Sequence, residues 1–390
     1  MEDKEYRRHQ RMHKFLRPPF AFLMWLVLGL RTQKLPEIPG PFIVLSNHTT
    51  GWDQYILAIA SPKYVYFVAS EHTLRLGLIS KLLKRYFPPV ERLKGGVDAS
   101  TIAGMIQKLK QGKNICLFPE GERSFTGVTA QLHPTTGKLI KMLNVPIITY
   151  RLSGGYLTDP RWGKSIRKGK MRGEVINVYT AEQLRKLSAP EITYHLMQDL
   201  HEDAFARQQN NPVVFRSRKL ACHMPEAFYI CPACGKIDTI QAKSNLLFCP
   251  CGLKMEYTPH GRLVGQKLAF TNTQQWDEMQ NTLINAHLHK CTPGQPIYTD
   301  DGQILREILP THSVVQLGTG DIALYHNRLC ICGREFAIEK IVQMTMYHAH
   351  KMELITFSAD GVYYEIASTN LNSRRKYVQM FNRLKDLQQA

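Results

Sequence analysis

Nothing in this 390-residue chain reads as a membrane-crossing helix. The apolar run Phe20–Leu30 covers eleven residues, well short of the ~20 that a helix needs to span a bilayer. No small-residue cleavage site follows it, so the basic stretch Arg7, Arg8, Arg11, Lys14 and Arg17 with its apolar sequel is not expected to be a secretory signal. Acidic residues are scarce, 32 Asp and Glu against 50 Lys and Arg, and the net charge of +18 attracts polyanions without specifying a fold. Internal repeats and low-complexity tracts are missing too, which removes the solenoid and linker classes. Without a secretory signal, the nine cysteines point to a reducing compartment and to metal binding over a disulfide framework.

What is present fits a folded protein of several parts. The length exceeds one usual domain, so two to four units are expected, each with its own core. Apolar residues make up 44 % and charged residues 21 %, ordinary values for a globular chain. The N-terminal segment, residues 1–33, holds Phe15, Leu16, Phe20, Phe22, Leu23, Trp25, Leu26 and Leu28 beside its basic residues. Such a segment suits the head-group layer of an anionic membrane; the alternative is a helix under the first core. Pro18 and Pro19 are expected to split it into two helices.

Between residues 34 and 212, apolar strands alternate with amphipathic helices. Strands are read at 41–46, 64–68, 114–118 and 146–150, and helices at 74–86, 101–110, 136–143 and 182–208. That order predicts an α/β domain with a mostly parallel sheet, whose sites lie beyond the carboxyl ends of the strands. A small cysteine-bearing unit is expected at 225–258 and a helical linker at 259–295. Residues 296–390 then read as short strands, with turns at Asp301-Gly302, Gly318–Gly320, Asn327 and Asp360-Gly361. An amphipathic helix carrying Tyr377, Val378, Phe381 and Leu384 closes this β-rich domain, a pattern that resembles a pleckstrin-homology-like barrel.

Two strings in the α/β region carry chemistry. Asn47-His48-Thr49-Thr50-Gly51-Trp52-Asp53 places a histidine at a strand end and an aspartate five positions on. Five is not a same-face helical spacing, so the intervening residues must turn back, helped by Gly51. The carboxylate then fixes the imidazole tautomer of a general base. A His–Asp pair alone is more often structural than catalytic. The second string, Phe118-Pro119-Glu120-Gly121-Glu122-Arg123-Ser124, runs from a strand into a glycine turn where amides and a guanidinium can converge on an anion. Arg92, in Val90-Glu91-Arg92 ahead of Gly95-Gly96, supplies a second candidate phosphate ligand.

These blocks, with Val145-Pro146-Ile147-Ile148, resemble in order and spacing the glycerolipid acyltransferases, above all the lysophosphatidic acid (1-acylglycerol-3-phosphate) type, over about residues 15–210. The resemblance implies His48 as base, Asp53 as its partner, and Arg92, Glu120, Gly121, Arg123 and Ser124 around the acceptor's glycerol phosphate. It implies acyl-CoA or acyl carrier protein as donor, a lysophospholipid as acceptor, no catalytic cofactor, and a peripheral or monotopic place on the cytoplasmic face of a membrane. Two positions depart from the family: Glu122 stands where threonine is common, and Glu91 replaces the usual aspartate. Another lysophospholipid, glycerol phosphate or an amino-lipid would satisfy the same blocks as acceptor. The basic run Arg161, Lys164, Arg167, Lys168, Lys170 and Arg172 suits lipid head groups, an acidic carrier, or only solvent.

Cys231-Pro232-Ala233-Cys234 and Cys249-Pro250-Cys251 offer four thiolates at knuckle spacing. They are expected to hold a structural Zn2+ in a ribbon-like unit, all four positions being filled by protein. Cys330 and Cys332 are expected to pack in a core. A zinc ribbon and a +18 charge would also suit a nucleic-acid-binding protein. No aromatics interleave the basic residues near the ribbon, however, and that class leaves the His–Asp and Glu–Arg blocks unexplained.

Overall fold

A computed structural model describes residues 4–70, 78–92, 99–309, 313–349, 352–369 and 373–389. The Gly95-Gly96 loop and the expected start of the helix at 74 lie outside them. The described chain divides into two compact units, with residues up to 92, 99–220 and 258–262 in the first, and 221–257 and those from 263 onward in the second.

The first unit is a seven-stranded sheet of β1 (Arg31–Thr32), β2 (Ile43–Ser46), β3 (Val65–Ser70), β4 (Val90–Arg92), β5 (Asn114–Leu117), β6 (Ile147–Ser153) and β7 (Arg172–Tyr179). The order is β1-β7-β6-β2-β5-β3-β4, and only the β6–β7 pairing is antiparallel. The expected mostly parallel sheet is therefore present, and sequence reading missed β7. Parallel strands covered on both faces need continuous apolar runs. In β2, Val44 faces a core with Met24, Leu28, Ile56 and Ile148, whereas Ile43 and Leu45 face another with Met105, Ile140 and Leu196.

Helix α1 (Lys4–Leu28) is a single helix that runs through both prolines, contrary to the expected split. Pro18 and Pro19 are exposed, so water can take the two carbonyls they leave without a donor. Bonds on the opposite face hold the helix across that gap. His9 accepts from or donates to the Tyr66 hydroxyl at 3.1 Å, His13 Nε2 bonds the Ala58 carbonyl at 2.8 Å, and Arg17 Nε bonds the Ile59 carbonyl at 2.8 Å. The helix has a buried face, which the core reading requires, and an exposed apolar one. Met24 and Leu28 are buried, while Phe15 is 75 % and Phe22 63 % exposed.

Helices α2 (Asp53–Ala60), α3 (Leu78–Tyr86), α4 (Ala99–Lys110) and α5 (Thr136–Leu143) fall between strands, and the short turn α6 (Gly155–Thr158) follows β6. The helix expected over 182–208 is three: α7 (Ala181–Lys186), α8 (Ala189–Leu200) and α9 (Ala204–Asn210). Local chemistry breaks it. Thr180 and Ser188 each start a helix with a full capping box, and Asp203 caps the third through the amides of Phe205 and Ala206.

The second unit starts with two cysteine knuckles on a small antiparallel sheet of β8 (Gln241–Lys243), β9 (Leu246–Phe248), β10 (Lys254–Tyr257) and β11 (Leu263–Gly265). Helix α10 (Thr273–Lys290) is no linker, because Trp276 is fully buried and stacked between Phe228 and Phe270. Seven antiparallel strands follow: β12 (Tyr298–Ile308), β13 (Val314–Leu324), β14 (Arg328–Ile331), β15 (Arg334–Ala337), β16 (Ile341–Ala349), β17 (Met352–Ala359) and β18 (Val362–Ser368). The first of them pairs with the last, in the order β15-β14-β13-β12-β18-β17-β16, and α11 (Arg375–Gln389) packs Tyr377, Phe381 and Leu384 into their core. Asp301-Gly302 and Gly318–Gly320 lie inside β12 and β13, where register shifts absorb them, and are not turns. Cys332, at positive φ in the β14–β15 turn, packs partly buried against the core as expected, whereas Cys330 bonds outward to Glu335.

A buried ion cluster ties this unit together. The fully buried Lys376 ammonium touches the carboxylates of Asp238 and Asp300, the latter at 2.7 Å, and lies 3.6 Å over the Tyr298 ring. Tyr298 and Tyr377 donate to those same carboxylates at 2.8 and 2.9 Å. Removing the cation strands two largely buried carboxylates, a change that costs up to about 3–5 kcal/mol. Lys376→Ala is expected to lower unfolding stability by that amount in urea titrations monitored through Trp276.

Candidate active site

Strands β2, β4, β5 and β6 point their carboxyl ends the same way, and each of the chemical strings follows one of them. The loop after β2 closes on a single carboxylate. Asp53 Oδ2 accepts the amides of Thr49 at 2.6 Å and Thr50 at 2.9 Å and lies 2.8 Å from His48 Nδ1. Its Oδ1 takes the hydroxyls of Thr49 at 3.2 Å and Thr50 at 3.0 Å. Asp53 is fully buried at the start of α2, where the helix dipole also favours its charge. The turn inferred from the five-residue spacing is thus built by the aspartate itself, and the two threonines were its unread signal.

With Nδ1–H committed to Asp53, Nε2 is the basic atom of His48 and has no partner among the described residues. The ring stacks on Phe118, centroids 4.5 Å apart. Burial lowers the His48 pKa, Asp53 raises it, and Arg123 and Arg161 lower it further; the net shift is downward. A lowered pKa keeps the imidazole neutral at pH 7, which is the state a general base requires.

The second string lies alongside. Glu120 turns inward: its oxygens accept the His48 amide at 2.6 Å and the Ala130 amide at 2.8 Å. Burial pushes its carboxyl up to about 8 against the pull of those amides. In this structure Glu120 braces the base loop, where the acceptor-contact reading would have had it facing a ligand. Ser124 is likewise occupied, giving its hydroxyl to the Val128 carbonyl at 2.8 Å and accepting the Gly127 amide at 3.0 Å. Gly121 has φ +76°, and a Cβ there would lie 3.3 Å from an Arg92 guanidinium nitrogen, so glycine leaves room for Arg92. Arg123 lies beside Gly51 and 3.8 Å from Asp159.

Glu122 does not leave a bare negative charge at this site. Its carboxylate pairs with Arg161 at 2.7 Å, and Arg161 also donates to the Arg123 carbonyl at 3.2 Å and stacks over Phe125. Arg161 and Arg167 are therefore neither head-group ligands nor solvated charges, since both are buried and Arg167 bonds the Leu220 carbonyl at 2.6 Å. Sequence reading missed Asp159 and Gly155 as well. A Cβ on Gly155 would meet Thr49 Oγ1 at 2.2 Å, so the turn after β6 presses directly on the base loop.

Residues 30–153 match the family model described as Acyltransferase. This region is an acyltransferase-family domain. The solved 1-acyl-sn-glycerophosphate (LPA) acyltransferase PlsC of Thermotoga maritima is similar over 51 % of this chain and 80 % of its own, with 21 % identity and a TM-score of 0.42. No curated protein matches the chain. His48, Asp53, Arg92, Glu120, Gly121, Arg123 and Ser124 all fall inside the acyltransferase domain, and Asp159 and Arg161 just beyond the matched segment.

In the second unit, Cys231, Cys234, Cys249 and Cys251 bring their sulfurs within 4.8 Å of one another. The pairs Cys231–Cys251 and Cys234–Cys249 are 3.7 and 3.9 Å apart. A tetrahedron with Zn–S bonds of about 2.3 Å has edges of about 3.8 Å, so the four cysteines are placed to hold a metal such as zinc. Gly235 and Gly252, both at positive φ, complete the two knuckle turns.

Two outcomes follow for the acyltransferase domain. With His48 as the base, the acyl-transfer rate constant should fall at low pH with a midpoint below the ~6.5 of a free imidazole, because burial lowers the His48 pKa. Gly155→Ala should reduce that rate at least about tenfold, since the added methyl must displace Thr49; an unchanged rate would show that the base loop tolerates the shift.

Proposed function

We propose that this protein is a membrane-surface O-acyltransferase that moves a fatty acyl group from acyl-CoA or acyl carrier protein to the free hydroxyl of lysophosphatidic acid, giving phosphatidic acid. The observation that carries the reading is the 2.8 Å His48–Asp53 bond, with Nε2 turned away from Asp53 on the sheet edge that also holds Arg92 and Arg123. His48 Nε2 takes the hydroxyl proton as the oxygen attacks the thioester carbonyl. The carbon–sulfur bond then breaks, and the leaving thiolate takes that proton from the imidazolium. Asp53 stabilises the imidazolium between the two steps. Arg92 and Arg123 hold the acceptor phosphate, for which the guanidinium fork is suited.

The membrane part of the reading rests on α1. No described helix is long and apolar enough to cross a membrane. The exposed face of α1 nevertheless carries Phe15, Phe22, Trp25 and Leu26 next to Arg8, Arg11 and Lys14, the composition of an interfacial helix on anionic lipid. We assign the cysteine unit a structural zinc ion, held by Cys231, Cys234, Cys249 and Cys251, on the fit of the sulfur spacing.

The full chain should acylate lysophosphatidic acid with one or both thioester donors. His48→Ala should lower turnover by about 10²- to 10⁴-fold; activity that survives the substitution would remove His48 as the base. Co-sedimentation should show binding to phosphatidylglycerol vesicles that weakens in Phe22→Ser/Trp25→Ser, and equal binding by both forms would end the role given to α1. Metal analysis should return about one zinc per chain, lost together with folding of the second unit on chelation.

A further inference from the structure

The acceptor ligand Arg123 is held from two directions by residues outside the family-matched segment. Arg161 fixes its backbone through the carbonyl, at 3.2 Å, while pairing with Glu122 next to it. The guanidinium end lies 3.8 Å from Asp159 Oδ2, and that same oxygen accepts the Gly51 amide at 3.4 Å. Gly51 is the tip of the loop that carries His48 and Asp53. One carboxylate oxygen therefore touches both the base loop and the anion-binding arginine.

Asp159 is itself well placed to act as a fixed point. It follows α6, whose Thr158 hydroxyl and amide both bond the Gly154 carbonyl, and whose Thr158 carbonyl accepts the Arg167 amide at 2.8 Å. The absence of a Cβ at Gly155 lets this turn rest on Thr49 and Thr50. Burial raises the Asp159 pKa, and Arg123 and the Gly51 amide oppose that rise. The net shift is upward, so these partners offset the desolvation only in part.

Resting on the reading of this site as a lysophospholipid acyltransferase, we propose that Asp159 is a positioning residue for the acceptor: it sets the Arg123 guanidinium beside the tip of the base loop, so that a phosphate bound there presents its neighbouring hydroxyl to His48. The acceptor is held at the phosphate, and the donor thioester makes no use of this contact. Asp159 therefore acts on one substrate through one side chain.

The test is a double-mutant cycle read by calorimetric titration of soluble hexanoyl lysophosphatidic acid into the full chain. Asp159→Asn and Arg123→Gln should each weaken binding about tenfold, and the double variant should bind no more weakly than Arg123→Gln alone within about twofold. In turnover assays Asp159→Asn should raise the acceptor KM about tenfold and leave the acyl-CoA KM unchanged, a split that general loosening of the fold would not give. Asp159→Glu should restore acceptor affinity to within about threefold, which guards against a folding defect in the asparagine variant. Wild-type affinity in Asp159→Asn, additive losses in the double variant, or no binding of the probe by the wild type would each overturn the inference. Binding that depends on Asp159 in a protein with no acyl transfer would uphold it and discard the reaction instead.

Discussion

The site depends on one buried carboxylate. Asp53 gathers two amides, two hydroxyls and an imidazole, all from the six residues 48–53, and without that carboxylate these donors would lose their shared partner. The same bonds fix the tautomer of His48 and aim its second nitrogen away from Asp53. Because Asp53 is also the first residue of α2, which packs Ile56 and Leu57 into the core under β2, the loop is rigid for reasons unconnected with chemistry. Preorganisation here is a by-product of how the helix starts.

Legibility in the sequence followed the same division between local and long-range causes. The strands of the first unit could be read because burial on both faces demands unbroken apolar runs, and the His–Asp pair because its turn is closed by residues within it. Glu120 and Ser124 were found, but their partners in the fold, the His48 amide and the Val128 carbonyl, were not legible, because they are set by how two loops meet. Arg161 looked like one more surface charge in a basic run, and only the fold brings it to Glu122 across 39 positions. The two prolines of α1 mark where local rules predict a break, and the bonds of His13 and Arg17 to α2 override it.

Charge at the proposed anion site is likewise arranged by the fold more than by composition. The +18 excess suggests an open basic surface, yet Glu122 and Asp159 stand against Arg161 and Arg123 at the centre of the site. The Arg123 guanidinium lies beside the Asp159 carboxylate, and an arginine held in one geometry loses less side-chain freedom on binding. The departure at Glu122 from the family's common threonine is thereby accounted for, since its charge is answered 2.7 Å away by a buried arginine.

The second unit applies the same principle. Its first cysteine knuckle is continuous with Tyr229 and Ile230, which belong to the core beneath β12 to β18, and Asp238 at the end of that knuckle enters the Lys376 cluster. Four thiolates and a buried lysine with two carboxylates therefore secure the two ends of one ten-residue segment. The carboxylates are costly without Lys376 by desolvation, and the four cysteines are placed to be joined by a metal such as zinc. A segment pinned at both ends has few partly folded states open to it. Metal binding at the knuckle and packing of α11 should for that reason be features of one cooperative unit, with Asp238 as the residue common to both.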